Sequence, residues 1–232
     1  MHVPDGFLDA PTSVATAALA AVGVGVALRR SRRELDDRTA PLAGLVAAFV
    51  FAAQMINFPV GAGTSGHLLG GALAAALVGP WTAVLAISVV LLVQALLFAD
   101  GGTTALGTNI LLLGLVGPAV AALVIGGLLR VLPRRTSVVA PVAALAALIS
   151  VPVAALVFVG LYTVGGAAPV PLADLTAAML GWHTLIGLGE ALVTGLVVGS
   201  VVAVRPDLVH AARGTLAARA LEIRTPVREA SA

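Results

Sequence analysis

Seven apolar runs follow one another between residues 12 and 204, most of them close to twenty residues long, and they decide what this chain can fold into. Twenty helical residues, at 1.5 Å of rise each, cross the roughly 30 Å of hydrocarbon in a bilayer. With 59% hydrophobic and only 10% charged residues, the chain carries more apolar surface than one water-soluble core can hide. It is predicted to be an all-α, polytopic membrane protein.

The runs lie at about 12–28, 40–58, 67–78, 81–99, 110–129, 138–163 and 182–204. The third is short and is stopped by Gly79-Pro80, because proline lacks an amide hydrogen and clashes with the preceding turn. All thirteen basic residues are arginines, and all fall within 29–40, 130–137 and 205–232. Positive residues concentrate in cytoplasmic loops, so this distribution predicts seven transmembrane helices with the amino terminus extracytoplasmic and the carboxyl terminus cytoplasmic. A cleavable signal carries its basic residues ahead of the apolar stretch, and here they come after it, so the first helix is expected to be retained. Residues 1–204 then form the membrane domain, and 205–232 a cytoplasmic tail that is a candidate amphipathic helix or partner contact.

The absence of cysteine excludes disulfides and thiolate metal sites, so a metal would be held by nitrogen or oxygen. No phosphate-binding glycine loop is present either, and any ATP-driven step needs another subunit.

A free amino terminus followed by histidine offers a metal three nitrogens: the Met1 amine, the deprotonated His2 amide and His2 Nδ1. They close a five-membered and a six-membered chelate ring, both nearly flat, leaving one corner of a square, and planar nitrogen sites suit Ni(II) and Cu(II). His67 is the candidate for that corner. Under the predicted topology Met1, His2, the loop ending in His67, the stretch 100–109 and His183 share the outer face. Around these, Thr64 and Ser65 could support the imidazoles, and Asp5 could steady the His2 ring or the chain behind it.

His183, Gly187, Glu190 and Thr194 are spaced four, three and four, which draws one polar stripe along the last helix. A carboxylate within a membrane helix costs several kcal/mol, so Glu190 is expected to face the bundle interior and have a partner about 10 Å below the outer end. The amides Gln54, Asn57, Gln94 and Asn109 are of the kind that hydrogen-bond between helices. His210, in the tail, is expected to be exposed.

Met1-His2-Val3-Pro4-Asp5-Gly6-Phe7-Leu8, Gln54-Met55-Ile56-Asn57-Phe58-Pro59-Val60, Gly63-Thr64-Ser65-Gly66-His67-Leu68-Leu69-Gly70-Gly71 and Asp100-Gly101-Gly102-Thr103-Thr104-Ala105-Leu106-Gly107 resemble the CbiM/NikM substrate-binding components of energy-coupling-factor ABC transporters for cobalt or nickel. Gln94-Ala95-Leu96-Leu97 and Gly189-Glu190-Ala191 are similar to that family too. The resemblance covers roughly residues 1–204. It implies a four-nitrogen site built by Met1, His2 and His67, with a cobalt or nickel ion as transported substrate. It further implies a multi-pass protein of a prokaryotic plasma membrane, linked to cobalamin biosynthesis or nickel uptake. Its partners would be a transmembrane coupling subunit, cytoplasmic ATPases and a small accessory membrane subunit, with no nucleic acid and no enzymatic activity of its own. Small residues on the first helix, Ala17, Ala21 and Gly25, would permit close contact with a coupling subunit. One departure is Ile110-Leu111-Leu112-Leu113 after Asn109, more apolar than the family suggests, which puts a role for that segment in the site in doubt.

Two other classes fit parts of the chain. Gly63-Thr64-Ser65-Gly66 has the form seen in rhomboid-type intramembrane serine proteases, for which His183 could be the base. The later helix, however, has Ile186 and Glu190 where such a dyad would need glycines. A self-sufficient secondary metal transporter or channel would carry more intramembrane acids than Glu190.

Overall fold

A computed structural model describes residues 2–37, 39–61 and 64–220. The first helix, α1 (Ala10–Arg30), starts where Asp9 accepts a hydrogen bond from Thr12 N at 2.9 Å and ends with Arg29 and Arg30 in its last turn; both ends suit the helix dipole. There follow α2 (Thr39–Gln54), a hairpin of β1 (Phe58–Gly61) and β2 (Thr64–Gly66), α3 (Gly71–Val78) and α4 (Pro80–Leu97). A short α5 (Leu106–Asn109) runs through a π-helical stretch, Ile110–Val116, into α6 (Gly117–Val131); α7 (Val139–Gly165), α8 (Leu172–Val204) and α9 (Arg213–Ala220) complete the order.

Five helical stretches are long and apolar enough to cross a membrane: Ala10–Arg33, Pro80–Leu97, Leu106–Val131, Thr136–Gly165 and Leu172–Val204. They differ from the seven predicted helices at the second and third runs. The second helix stops at Gln54, giving 16 residues, and Phe58 begins the hairpin instead. The third run is helical only from Gly71, because Gly70 takes φ +76°, a left-handed conformation that suits glycine. The eight residues of α3 span about 12 Å, and residues 67–70 approach them as irregular chain. The last helix begins ten residues earlier than predicted. Asp174, expected in a loop, sits in its first turn, where a carboxylate is favoured by the dipole.

The core lies where α7 packs along α8. Ala146, Ala147, Ala154 and Ala155 are fully buried there beside Phe158, Leu175 and Met179. Small side chains let the backbones approach: a Cβ at Gly187 would stand 3.1 Å from the Leu148 carbonyl oxygen. Outward, Leu19, Leu123, Val164 and Leu196 are 58 to 81% exposed, an apolar belt that suits lipid rather than water.

At the arginine-bearing end, Glu34 is buried and receives hydrogen bonds from Trp81 N, Thr82 N and Thr82 Oγ1, closing the first turn of α4. Arg213 donates to the Glu34 carbonyl oxygen. Within the predicted tail, Val209 and Ala212 are fully buried and Thr215 nearly so, so residues 206–215 pack on the bundle. His210, expected to be exposed, is half-buried with its Nδ1 enclosed. Arg224 and Arg228 lie outside the described residues. Gly79 makes this packing possible, with φ +96° and the position of a Cβ only 2.6 Å from Glu34 Cδ and 2.9 Å from His210 Nδ1. Gly79→Ala is expected to cost about 2 kcal/mol or more through backbone strain and overpacking, read as a lower melting temperature of the detergent-solubilised protein.

Candidate metal centre

The chain's head is held by residues about a hundred positions away. Asn109 brackets the Val3 peptide: its Oδ1 accepts Val3 N at 2.7 Å and its Nδ2 donates to the Val3 carbonyl at 3.2 Å. Gly102 N donates to the same carbonyl. Asp5 accepts from Thr103 N, Thr104 N and Oγ1, and Ala105 N. These bonds, led by the Thr104 hydroxyl, hold the Asp5 carboxyl below its usual range. Asp5 therefore anchors the chain behind His2 and does not touch the ring. Asn109 also marks the point where α5 gives way to π-helical turns, and Leu112 and Leu113 beyond it are fully buried in the core, which accounts for their apolar character.

His2 is thereby laid against the hairpin, pairing with Ser65 as an isolated bridge, and its ring is 3% exposed. The His2 and His67 ring centroids are 4.5 Å apart, with the planes inclined at 47°. His67 is fully buried, and its Nδ1 donates to the Leu68 carbonyl at 2.7 Å, so its lone pair is on Nε2. His2 Nδ1 donates to Asp100 Oδ1 at 2.8 Å, while His2 Nε2 is buried without a hydrogen-bond partner among the described residues. The nitrogen left open is thus Nε2, where the chelate expected from the sequence uses Nδ1.

Asp100 completes this cluster, since its second oxygen accepts Asn57 Nδ2 at 3.0 Å. Burial lowers the His2 imidazole against the raising effect of Asp100. Burial raises Asp100, but the hydrogen bond from His2 and the nearby positive charge leave it below its ordinary value. His2 is therefore neutral near pH 7, the form that ligates metals. Asp100 was absent from the site residues drawn from sequence, although it heads the 100–107 motif that carries part of the family resemblance.

The three residues of the polar stripe are buried, His183 and Thr194 fully and Glu190 to within 2%. Glu190 Oε2 accepts Leu69 N at 2.7 Å and Oε1 accepts Gly70 N at 3.0 Å, while Gln54 Nε2 donates to the Leu69 carbonyl at 2.8 Å. The irregular backbone between His67 and α3 is thus satisfied by side chains, as backbone at membrane depth must be. Glu190 lies eighteen residues into α8, about 27 Å along it, because the helix starts earlier than predicted. His183 Nδ1 donates to the Met179 carbonyl within its own helix. Thr194 Oγ1 has no hydrogen-bond partner and lines a cavity of about 10 Å³ beside Glu190. Gln94, expected to bond between helices, leaves both amide atoms unpartnered among the described residues.

Met1 and Gly63 lie outside the described residues, and Thr64 supplies backbone to β2. Among the described residues, no three His, Asp or Glu side chains stand close enough to hold an ion.

Residues 2–208 match the CbiM family, described as the cobalt uptake substrate-specific transmembrane region. The chain belongs to the CbiM family. A relative in Haloquadratum walsbyi, named as a metal transport protein, is 40% identical over 90% of this chain and 93% of its own length. The fused nickel transport protein NikMN of Rhodobacter capsulatus is 39% identical over 94% of this chain and 66% of its own length. A crystal structure of a truncated transition metal transporter superposes with a TM-score of 0.80 at 29% identity, covering 88% of this chain and 99% of that one. For this CbiM protein, the family match, the apolar helices and the fold agree on a multi-pass membrane protein. The geometry gives no support to a serine protease, since no hydrogen bond joins Ser65 to His183 among the described residues. In Asn109→Ala the head loses two of the three hydrogen bonds on Val3; metal affinity is expected to fall about 10–100-fold with helical content unchanged, measured by equilibrium binding and circular dichroism.

Proposed function

We propose that this CbiM protein is the transmembrane component that captures Co(II) or Ni(II) on the extracytoplasmic side for uptake. The ion is held by the Met1 amine, the His2 amide and ring, and His67. The observation carrying this reading is the contact of two buried imidazoles, His2 and His67, at 4.5 Å. With two imidazoles as the side-chain donors, the remaining ligands come from main-chain nitrogen. Chelation through His2 Nδ1 needs the lone pair of that nitrogen, so the proton it now donates to Asp100 must leave. Asp100 still supplies a negative charge near the dication.

Uptake is driven by a coupling subunit and cytoplasmic ATPases, with a small accessory membrane subunit. The relatives named as fused NikMN support an additional component, since this chain spans only part of their length. On α1, Ala21 is exposed and the position of a Cβ at Gly25 meets nothing within 4 Å, leaving these two positions open to a coupling subunit, whereas Ala17 packs on Gly107 of α5, where a Cβ would stand 2.5 Å from its own. The arginine-bearing ends are cytoplasmic in this reading.

The test is metal analysis of protein purified with an untagged amino terminus, followed by reconstitution in liposomes. One ion per chain and no sustained uphill uptake by the chain alone are expected. Uphill uptake by the chain alone refutes the dependence on ATPases. Because amine, amide and imidazole must lose protons to ligate, affinity should be higher at pH 8 than at pH 6, read from competition with a metal indicator.

A further inference from the structure

A groove of about 450 Å³ runs between the last turns of α6 and the docked tail, lined among others by Gly126, Leu129, Arg130, Arg134, Gly214 and Ala217. Among the described residues its lining holds two cations and no carboxylate. Other arginines at this end are engaged: Arg30 lies over the Trp81 ring, Arg205 pairs with Asp207, and Arg213 bonds the Glu34 carbonyl. Arg130 and Arg134 are exposed and have no hydrogen-bond or carboxylate partner among the described residues. On the same helix, Leu123, three residues before Gly126, is 76% exposed.

The arrangement is two-part: a pair of guanidiniums at the level where the apolar helix ends, and apolar side chains of α6, Leu129 in the groove and exposed Leu123 further into the helix. Guanidinium forks match phosphate oxygens, and basic pockets beside membrane helices receive anionic headgroups. We propose that this groove binds one anionic phospholipid, with its phosphate between Arg130 and Arg134 and an acyl chain along Leu129 and Leu123. The lipid then bridges α6 to α9 and holds the tail against the bundle. This inference is independent of the metal reading, since the groove lies at the end away from His2.

The test is native mass spectrometry of the full chain released from mixed phosphatidylglycerol and phosphatidylcholine nanodiscs, scored as lipid retained per chain. The wild type should retain phosphatidylglycerol preferentially, and R130Q/R134Q should lose about thirtyfold of that preference, given two arginines near the surface. Gly126→Leu should lose it too with both arginines intact, because a Cβ at Gly126 meets nothing within 4 Å and the side chain fills the groove without disturbing the helix. R32Q/R33Q, on an exposed basic pair elsewhere, should retain it. Equal retention of both lipids, or unchanged retention in R130Q/R134Q or Gly126→Leu, overturns the proposal. So does an equal loss in R32Q/R33Q, which would show general attraction to a basic face. Displacement by inorganic phosphate would make it a phosphate site, and binding only after truncation following Ala220 would make the chain's own end the occupant; either result also overturns it.

Discussion

Acetylating the Met1 amine should lower the affinity for Co(II) or Ni(II) by more than about 100-fold, beyond what loss of a supporting hydrogen bond around a metal ligand typically costs. In the proposed site the amine, the His2 amide and the His2 ring close adjacent five- and six-membered rings. Acetylation ties up the amine lone pair in an amide, so the first ring and the planar set lose a donor. The fold should be indifferent to this change. Val3 is clasped by Asn109 and Gly102, and Asp5 by the turn at 103–105, all downstream of the acetyl group. Equilibrium metal titration and thermal unfolding together make the check: lost affinity at an unchanged melting temperature is expected. His67→Ala should behave alike at the metal. Undiminished binding in the acetylated protein would remove the amine from the site and with it the chelate.

Glu190→Ala should reduce both stability and metal affinity. Its carboxylate accepts Leu69 N and Gly70 N within the bundle, and each buried donor left unpaired costs about 1–3 kcal/mol, more where no water can enter. Those two peptides lie between His67 and α3, so their release also frees the imidazole two residues upstream. Glu190→Gln keeps the shape but only one acceptor oxygen, and its amide hydrogens oppose one of the two N–H groups. An intermediate loss is expected. A melting temperature and a metal titration on the same samples decide it, because a purely structural role would lower the first while leaving the affinity of the folded fraction intact.

Much of the candidate metal centre is written in the chain itself. His2 behind the first residue, His67 closing a glycine-rich loop, and the stripe His183, Glu190 and Thr194 are one-dimensional patterns, visible because helical period and sequence adjacency are local properties. Partners distant in sequence were not visible. Nothing in the spacing says that Asp100 should meet His2, that Asn109 should clasp Val3, or that the interior acid should hold peptides at 69 and 70. Those pairings depend on how helices lean on one another. The same limit explains the third run: its hydropathy reads as a short span, yet the chain enters as irregular backbone that only Gln54 and Glu190, from other helices, make tolerable.

From its residues alone the protein was bound to be an all-α membrane protein with its arginines at one end, because transfer of apolar side chains into hydrocarbon and of cations out of it is nearly additive along a chain. Which side chains meet was decided only by tertiary packing. A hydrogen bond or a ligand contact needs two groups within about 3 Å, and that distance is set by every helix in the bundle at once.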